Sequence, residues 1–167
     1  MERIDKKNVL SLIGLCFTII AFLTLILPFY RTIDYSTVIP TVKYISSYQL
    51  IAGLFNHELA GNTFAILISL FYILFLMFNL AFMIMIILRM RNMKLNKLLI
   101  KGFAIANLFI SIIIFVLVFM NIGSYSVYDG ENLVFCYRVG IVVAVLLISS
   151  IYNYIMSFVS GSYKQKK

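Results

Sequence analysis

Four apolar blocks, uninterrupted by any charge, dominate the chain: positions 8–30, 59–88, 102–128 and 139–163. Within them the hydrophobic positions run on continuously instead of alternating. A membrane β-barrel would show short alternating segments, whereas a helix crossing a hydrocarbon core of about 30 Å needs about 20 mostly apolar residues. Each block supplies that length. The pattern predicts transmembrane helices over 9–29, 63–88, 102–121 and 139–160, with connections at 30–62, 89–101 and 122–138 and a tail at 161–167. The expected fold is an all-α membrane protein, a four-transmembrane-helix bundle forming one integral membrane domain over 1–167.

The longest connection has structure of its own. Segments 35–39 (YSTVI) and 41–45 (TVKYI) are rich in β-branched and aromatic residues and read as strands, with Pro40 imposing a bend between them. Ser46 or Ser47 can then cap a short helix over 48–52, and Gly53 can stop it. This stretch is apolar and carries no charge before Glu58. It should lie in the membrane interface or pack on the bundle. Tyr44, Tyr48 and Gln49 are its candidate recognition residues.

Composition agrees with the pattern. The chain is 63% hydrophobic and 12% charged, about half the charge of a soluble domain, which carries about 25%. The charges are also segregated. Arg3, Lys6, Lys7, Arg89, Arg91, Lys94, Lys97, Lys101, Lys164, Lys166 and Lys167 fall on one side of the predicted topology, against Glu2 and Asp5. Arg31, Lys43 and Arg138 fall on the other, with Asp34, Glu58, Asp129 and Glu131. The positive-inside bias makes the basic side, with both termini, cytoplasmic. The net charge of +8 is then mostly a matter of topology. It implies contact with anionic lipid headgroups, not direct nucleic-acid binding. The 89–101 connection is tethered at both ends, so Arg89, Arg91, Lys94 and Lys97 form the best-fixed docking patch for a partner or for lipid. The first apolar block is too long for a signal-peptide core, and Leu27-Pro28-Phe29-Tyr30-Arg31 is a poor cleavage site.

None of the predicted spans contains an Asp, Glu, Lys, Arg or His, the usual marks of transporters and proton relays. Their polar residues are amides and hydroxyls, chiefly Asn79, Asn107, Asn153, Ser149 and Ser150, and the three asparagines all fall in the cytoplasmic half. Lipid offers a buried amide no partner, so these residues are expected to bond between helices, with a polar pore or ligand pocket as the alternative. Enzymatic chemistry has little material. The single histidine, His57, adjoins Glu58, and neighbouring residues seldom face each other. No CxxC, HExxH, P-loop or GxSxG sequence occurs. No catalytic, cofactor or metal residues are expected. Cys16, deep in the first span, and Cys136, at the outer mouth of the fourth, lie too far apart in depth for a disulfide and read as small packing residues.

Four spans, inside termini and a long, strand-bearing first outer loop resemble the claudin-like layout, although this loop lacks that family's Trp and cysteine pair. The layout also resembles small bacterial tetraspan proteins, including the membrane subunit of the Kiwa antiphage system. That resemblance rests on size, span count, short basic cytoplasmic ends and the lack of a catalytic domain. It implies an oligomeric membrane sensor working with a cytoplasmic effector, in a bacterial inner membrane. The leading expectation is therefore a non-enzymatic subunit that forms homo-oligomers and recruits a cytoplasmic partner. An immunity-type protein against a membrane-active toxin and a small channel or holin-like pore are the alternatives.

Overall fold

A computed structural model describes residues 6–34, 41–59, 63–91, 95–120, 126–128, 131–135 and 139–159. Four long helices form the body: α1 (Lys6–Leu23), α3 (Thr63–Met90), α4 (Lys97–Met120) and α5 (Val139–Val159). A short helix, α2 (Ser47–Phe55), lies between the first two. The segments Val9–Ile26, Thr63–Met90, Lys97–Met120 and Val139–Val159 are each long and apolar enough to cross a membrane. Helix α1 packs on α3 and α5, and α4 closes the square by packing on the same two. The four-span bundle is thus the all-α fold expected from the apolar blocks.

The first helix ends earlier than its apolar run. The α-helix stops at Leu23 and a 3-10 turn, Thr24–Ile26, follows. Leu27 is then extended, at φ −75° and ψ 142°. The cause is Pro28, whose ring clashes with a helical backbone in the residue before it. Pro28 therefore begins a strand instead of ending a helix.

That strand, β1 (Pro28–Asp34), pairs with β2 (Thr41–Ser46) on one side and with β4 (Glu131–Phe135) on the other; β3 (Ser126–Tyr128) completes the sheet. All pairings are antiparallel and the order is β2-β1-β4-β3. The expected strand at 41–45 is present as β2. The expected strand at 35–39 lies outside the described residues. Strand β1 sits upstream, where the sequence had been read as span and loop, and the second connection contributes two strands of its own. The two cap-side connections therefore form one sheet. The β1–β2 register shifts between Pro28 and Tyr30. This bulge accompanies the complete burial of Phe29, whose ring meets Tyr72 edge-on at 6.4 Å and 86°.

Helix α2 carries strong end signals. Ser46 is its N-cap in a capping box: the Gln49 amide donates to Ser46 Oγ at 3.2 Å, and Ser46 N–H donates to Gln49 Oε1 at 2.9 Å. The helix runs through Gly53 and stops at Asn56. Gly53 is a buried interior residue, not the stop. The stop is a Schellman turn in which Glu58 N–H donates to Gly53 O at 2.9 Å, with His57 in the left-handed region at φ 61°. The single histidine thus occupies a backbone position that usually belongs to glycine.

At the opposite end, Asn96 caps α4, its Oδ1 accepting from Leu98 N–H at 2.9 Å. Helix α4 begins at Lys97, a turn and more before the expected start at 102.

Candidate functional site: a polar layer across the bundle

Two apolar cores fill the bundle. The larger, on the cap side, includes Ala21, Phe75, Ile110 and Leu146; the smaller, toward the α3–α4 hairpin, includes Phe82, Ala104 and Met156, with Leu15 packed on it. One level lies between them on every helix, and it is polar: Thr18 on α1, Asn79 on α3, Asn107 on α4, and Ser149, Ser150 and Asn153 on α5. All six are buried. In α3 the layer lies nearer Met90 than Thr63, the side on which the sequence placed the asparagines.

The hydrogen bonds run between helices. Asn79 Nδ2 donates to the backbone carbonyl of Thr18 at 3.1 Å. Asn153 Nδ2 donates to the Thr18 hydroxyl at 3.3 Å, while that hydroxyl donates to Gly14 O at 2.7 Å. Asn107 Nδ2 reaches Asn79 Oδ1 at 3.5 Å. Ser149 Oγ donates to Phe17 O at 3.0 Å, and Ser150 Oγ to Asn107 O at 3.5 Å. The layer thus joins α1 to α3, α1 to α5, α3 to α4 and α4 to α5, following the square of helix contacts. Such bonds contribute about 0.6 kcal/mol each on average within a membrane. The buried carbonyl oxygens Asn107 Oδ1 and Asn153 Oδ1 accept no hydrogen bond from the described residues.

The five polar residues singled out in the sequence are therefore gathered at one level, but their hub is a residue that the sequence reading passed over. Thr18 accepts from two asparagines. The available signal was the Gly14-xxx-Thr18 spacing, a small-xxx-small pattern that lets helix backbones approach closely. Ser11, Gly14, Thr18 and Ala21 form a buried small-residue face on α1. A Cβ at Gly14 would sit 2.9 Å from Met156 Sδ and 3.4 Å from Asn153 Oδ1, so α5 packs tightly on α1 beside the layer. Farther toward the α1 N-terminus, Tyr152 stacks obliquely on Phe17 at 4.8 Å and donates to Leu10 O at 3.3 Å.

The cap side has a second tie. Tyr72 and Thr24, both buried, hydrogen-bond through their hydroxyls, and Thr24 Oγ1 donates to Ala21 O at 2.6 Å. This fastens the 3-10 turn to α3.

Of the basic patch, Arg91 and Lys97 are exposed at the hairpin, Arg89 is half-buried in the last turn of α3, and Lys94 lies outside the described residues. Lys101 sits over the Phe158 ring at 4.5 Å, linking α4 to the end of α5. Of the recognition candidates, Tyr44 and Tyr48 are exposed, whereas the side chain of Gln49 is engaged in the capping box. Cys16 is exposed on the flank of α1, so it faces the bundle's surroundings instead of packing inside; Cys136 lies outside the described residues.

Comparison with protein-family models, with curated proteins and with solved structures found no match to this chain. Its four long apolar helices make it a multi-pass membrane protein.

Proposed function

We propose that this chain is a non-enzymatic membrane subunit that forms homo-oligomers, receives a stimulus on its sheet-bearing cap and holds a cytoplasmic effector at its basic hairpin. The reading includes the role suggested by its layout, that of membrane sensor in a bacterial antiphage defence system. In the bacterial inner membrane the cap faces outward and the termini inward, as the lysine and arginine asymmetry favours.

The observation that carries this reading is the sheet order β2-β1-β4-β3. It merges two connections far apart in sequence into one body. Strand β1 continues directly from the first span, β4 precedes the last, and α5 packs against β1. A load on the cap therefore falls on α1 and α5, the two helices that Thr18 and Asn153 join. The polar side chains of the layer bond to one another and to backbone carbonyls inside one chain, which favours adhesion over a wet conduction path. At the far end, Arg91 follows the last turn of α3 and Lys97 opens α4, two helices packed on each other, so their positions are held and lose less entropy on binding. Repetition around an oligomer axis would add avidity.

The test is phage challenge of cells carrying the gene with its chromosomal neighbours. Protection is expected, and the double reversal Arg91→Glu/Lys97→Glu should abolish it while insertion and native-gel mobility stay unchanged. Absence of protection by the intact locus removes the defence role. Full protection by the inserted double variant removes the hairpin as the dock.

A further inference from the structure

Helix α2 stands apart from the other helices in size and placement. Its nine residues, SYQLIAGLF, contain no charge. One face is used internally: Ser47, Leu50 and Gly53 are buried, and Leu50 belongs to the cap-side core, with Ile51 and Leu54 packed against it. The opposite face is open. Tyr48 is 64% exposed and Phe55 71%. These two residues are seven apart, two turns of helix, so they share one side.

The ends of α2 fix its level. At the N-terminus, Ser47 N–H donates to Leu27 O at 3.1 Å, just past the first candidate span, which ends at Ile26. At the C-terminus, the Schellman turn leads to Leu59, which is buried in the same core, and then to α3, whose span begins at Thr63. Both ends of α2 are thus level with the cap-side ends of spans, and the helix packs on α3 and on the 3-10 turn between them. The exposed apolar surface of the first span arrives at the same place, with Leu23 exposed and Ile26 74% exposed.

We infer that α2 is an in-plane interfacial helix whose Tyr48 and Phe55 side chains insert into the headgroup–acyl boundary of the cap-side leaflet. Lipid is the occupant because the open face belongs to a helix packed on the last turn of the first span, stands at the level where that span ends with Ile26 exposed, and carries no charge that would need water. An aromatic pair is suited to that depth, and a short amphipathic helix binds there by burying its apolar side. The leaflet thereby becomes a ligand of the cap. The inference rests on geometry alone and is independent of the function proposed above.

The chain has no Trp, so one substitution creates a single fluorophore. Tyr48→Trp and Phe55→Trp would be reconstituted separately in phosphatidylcholine/phosphatidylglycerol nanodiscs, which expose both faces to solvent and make protein orientation irrelevant. Phe109→Trp, at an exposed position within α4, provides a mid-membrane reference. Both α2 side chains are exposed, so Trp replaces no core packing, and an unchanged helical circular dichroism signal confirms the fold. The expected result is blue-shifted emission that loses most of its intensity to a nitroxide at the headgroup end of the lipid and little to one at the chain terminus, the reverse of the reference. Red-shifted emission quenched by acrylamide and untouched by either lipid label would place α2 in water and overturn the inference. Blue-shifted emission that neither label reaches would assign the face to a second copy of the chain, and stronger quenching by the terminal label would assign it to the bilayer interior. Either result also overturns it.

Discussion

The side-chain amide of Asn153 donates to the hydroxyl of Thr18 at 3.3 Å, joining the last span to the first across almost the whole length of the chain. Asn79 also uses Thr18, but it bonds to the backbone carbonyl. Mutation separates the two attachments. In a double-mutant cycle, Thr18→Val and Asn153→Ala should couple by about 0.6 to 1.7 kcal/mol. Thr18→Val and Asn79→Ala should instead add to within about 0.5 kcal/mol, because valine keeps the carbonyl. Denaturation in mixed micelles measures both cycles, and equal coupling in the two would contradict the assigned bonds.

Gly14 leaves room on α1 for Met156 of α5. Alanine there gains helix propensity, about 1 kcal/mol, and asks only that the flexible end of Met156 give way, so its net effect should be small. Valine cannot be accommodated so easily, and Gly14→Val should cost about 1 to 3 kcal/mol as overpacking. Adding Met156→Ala should recover part of that loss. If the second substitution deepens the loss, Met156 is not what valine strikes.

His57 holds a left-handed backbone at φ 61°, where a side chain costs roughly 1 kcal/mol or more relative to glycine. His57→Gly is expected to raise the thermal midpoint of the detergent-solubilised protein. His57→Val, β-branched, should lower it. A fall with glycine would mean that the imidazole makes a contact worth more than the backbone strain.

Tyr72→Phe removes a hydroxyl from the buried tie to Thr24 but preserves the edge contact with Phe29. The expected loss is about 1 kcal/mol, and Phe29→Ala should cost more, about 3 kcal/mol or above. The order of these two effects is the informative readout: a larger loss for Tyr72→Phe would make the hydroxyl pair at the 3-10 turn, and not the packing of Phe29 of β1, the main fastening of this part of the chain to α3.

Topology can be read with single cysteines in a Cys16→Ser/Cys136→Ser background. Lys43→Cys, at an exposed position of β2 on the cap, should react with an impermeant thiol reagent in intact cells. Lys97→Cys, at the hairpin, should react only after permeabilisation. The reverse pattern would invert the membrane orientation and move the proposed docking hairpin outside.

Much of this protein was legible in its sequence because membranes impose a simple rule. Backbone groups in lipid must be satisfied within the segment, so a long charge-free apolar run has to become a helix. That rule gave the four spans. The same reasoning marked Asn79, Asn107 and Asn153 as needing partners, and capping preference narrowed the start of α2 to Ser46 or Ser47, of which Ser46 is the cap. It failed where the outcome depended on groups distant in sequence. In 126–135 the Asp129-Gly130 dipeptide between Val127-Tyr128 and Leu133-Val134-Phe135 is a local hairpin signal that the reading by apolar blocks leaves unused; the pairing of β4 with β1 is not local, and β1 exists because Pro28 diverts the chain into extended backbone. Thr18 looks like any hydroxyl in a span until two helices from elsewhere present amides to it. Gly53 resembles a helix stop, yet burial against the cap-side core keeps it helical and passes the stop to Asn56 and His57. Local chemistry and the lipid environment determined the elements, whereas pairing and packing between distant segments decided the sheet, the polar layer and the packing of α2 on α3 and the 3-10 turn.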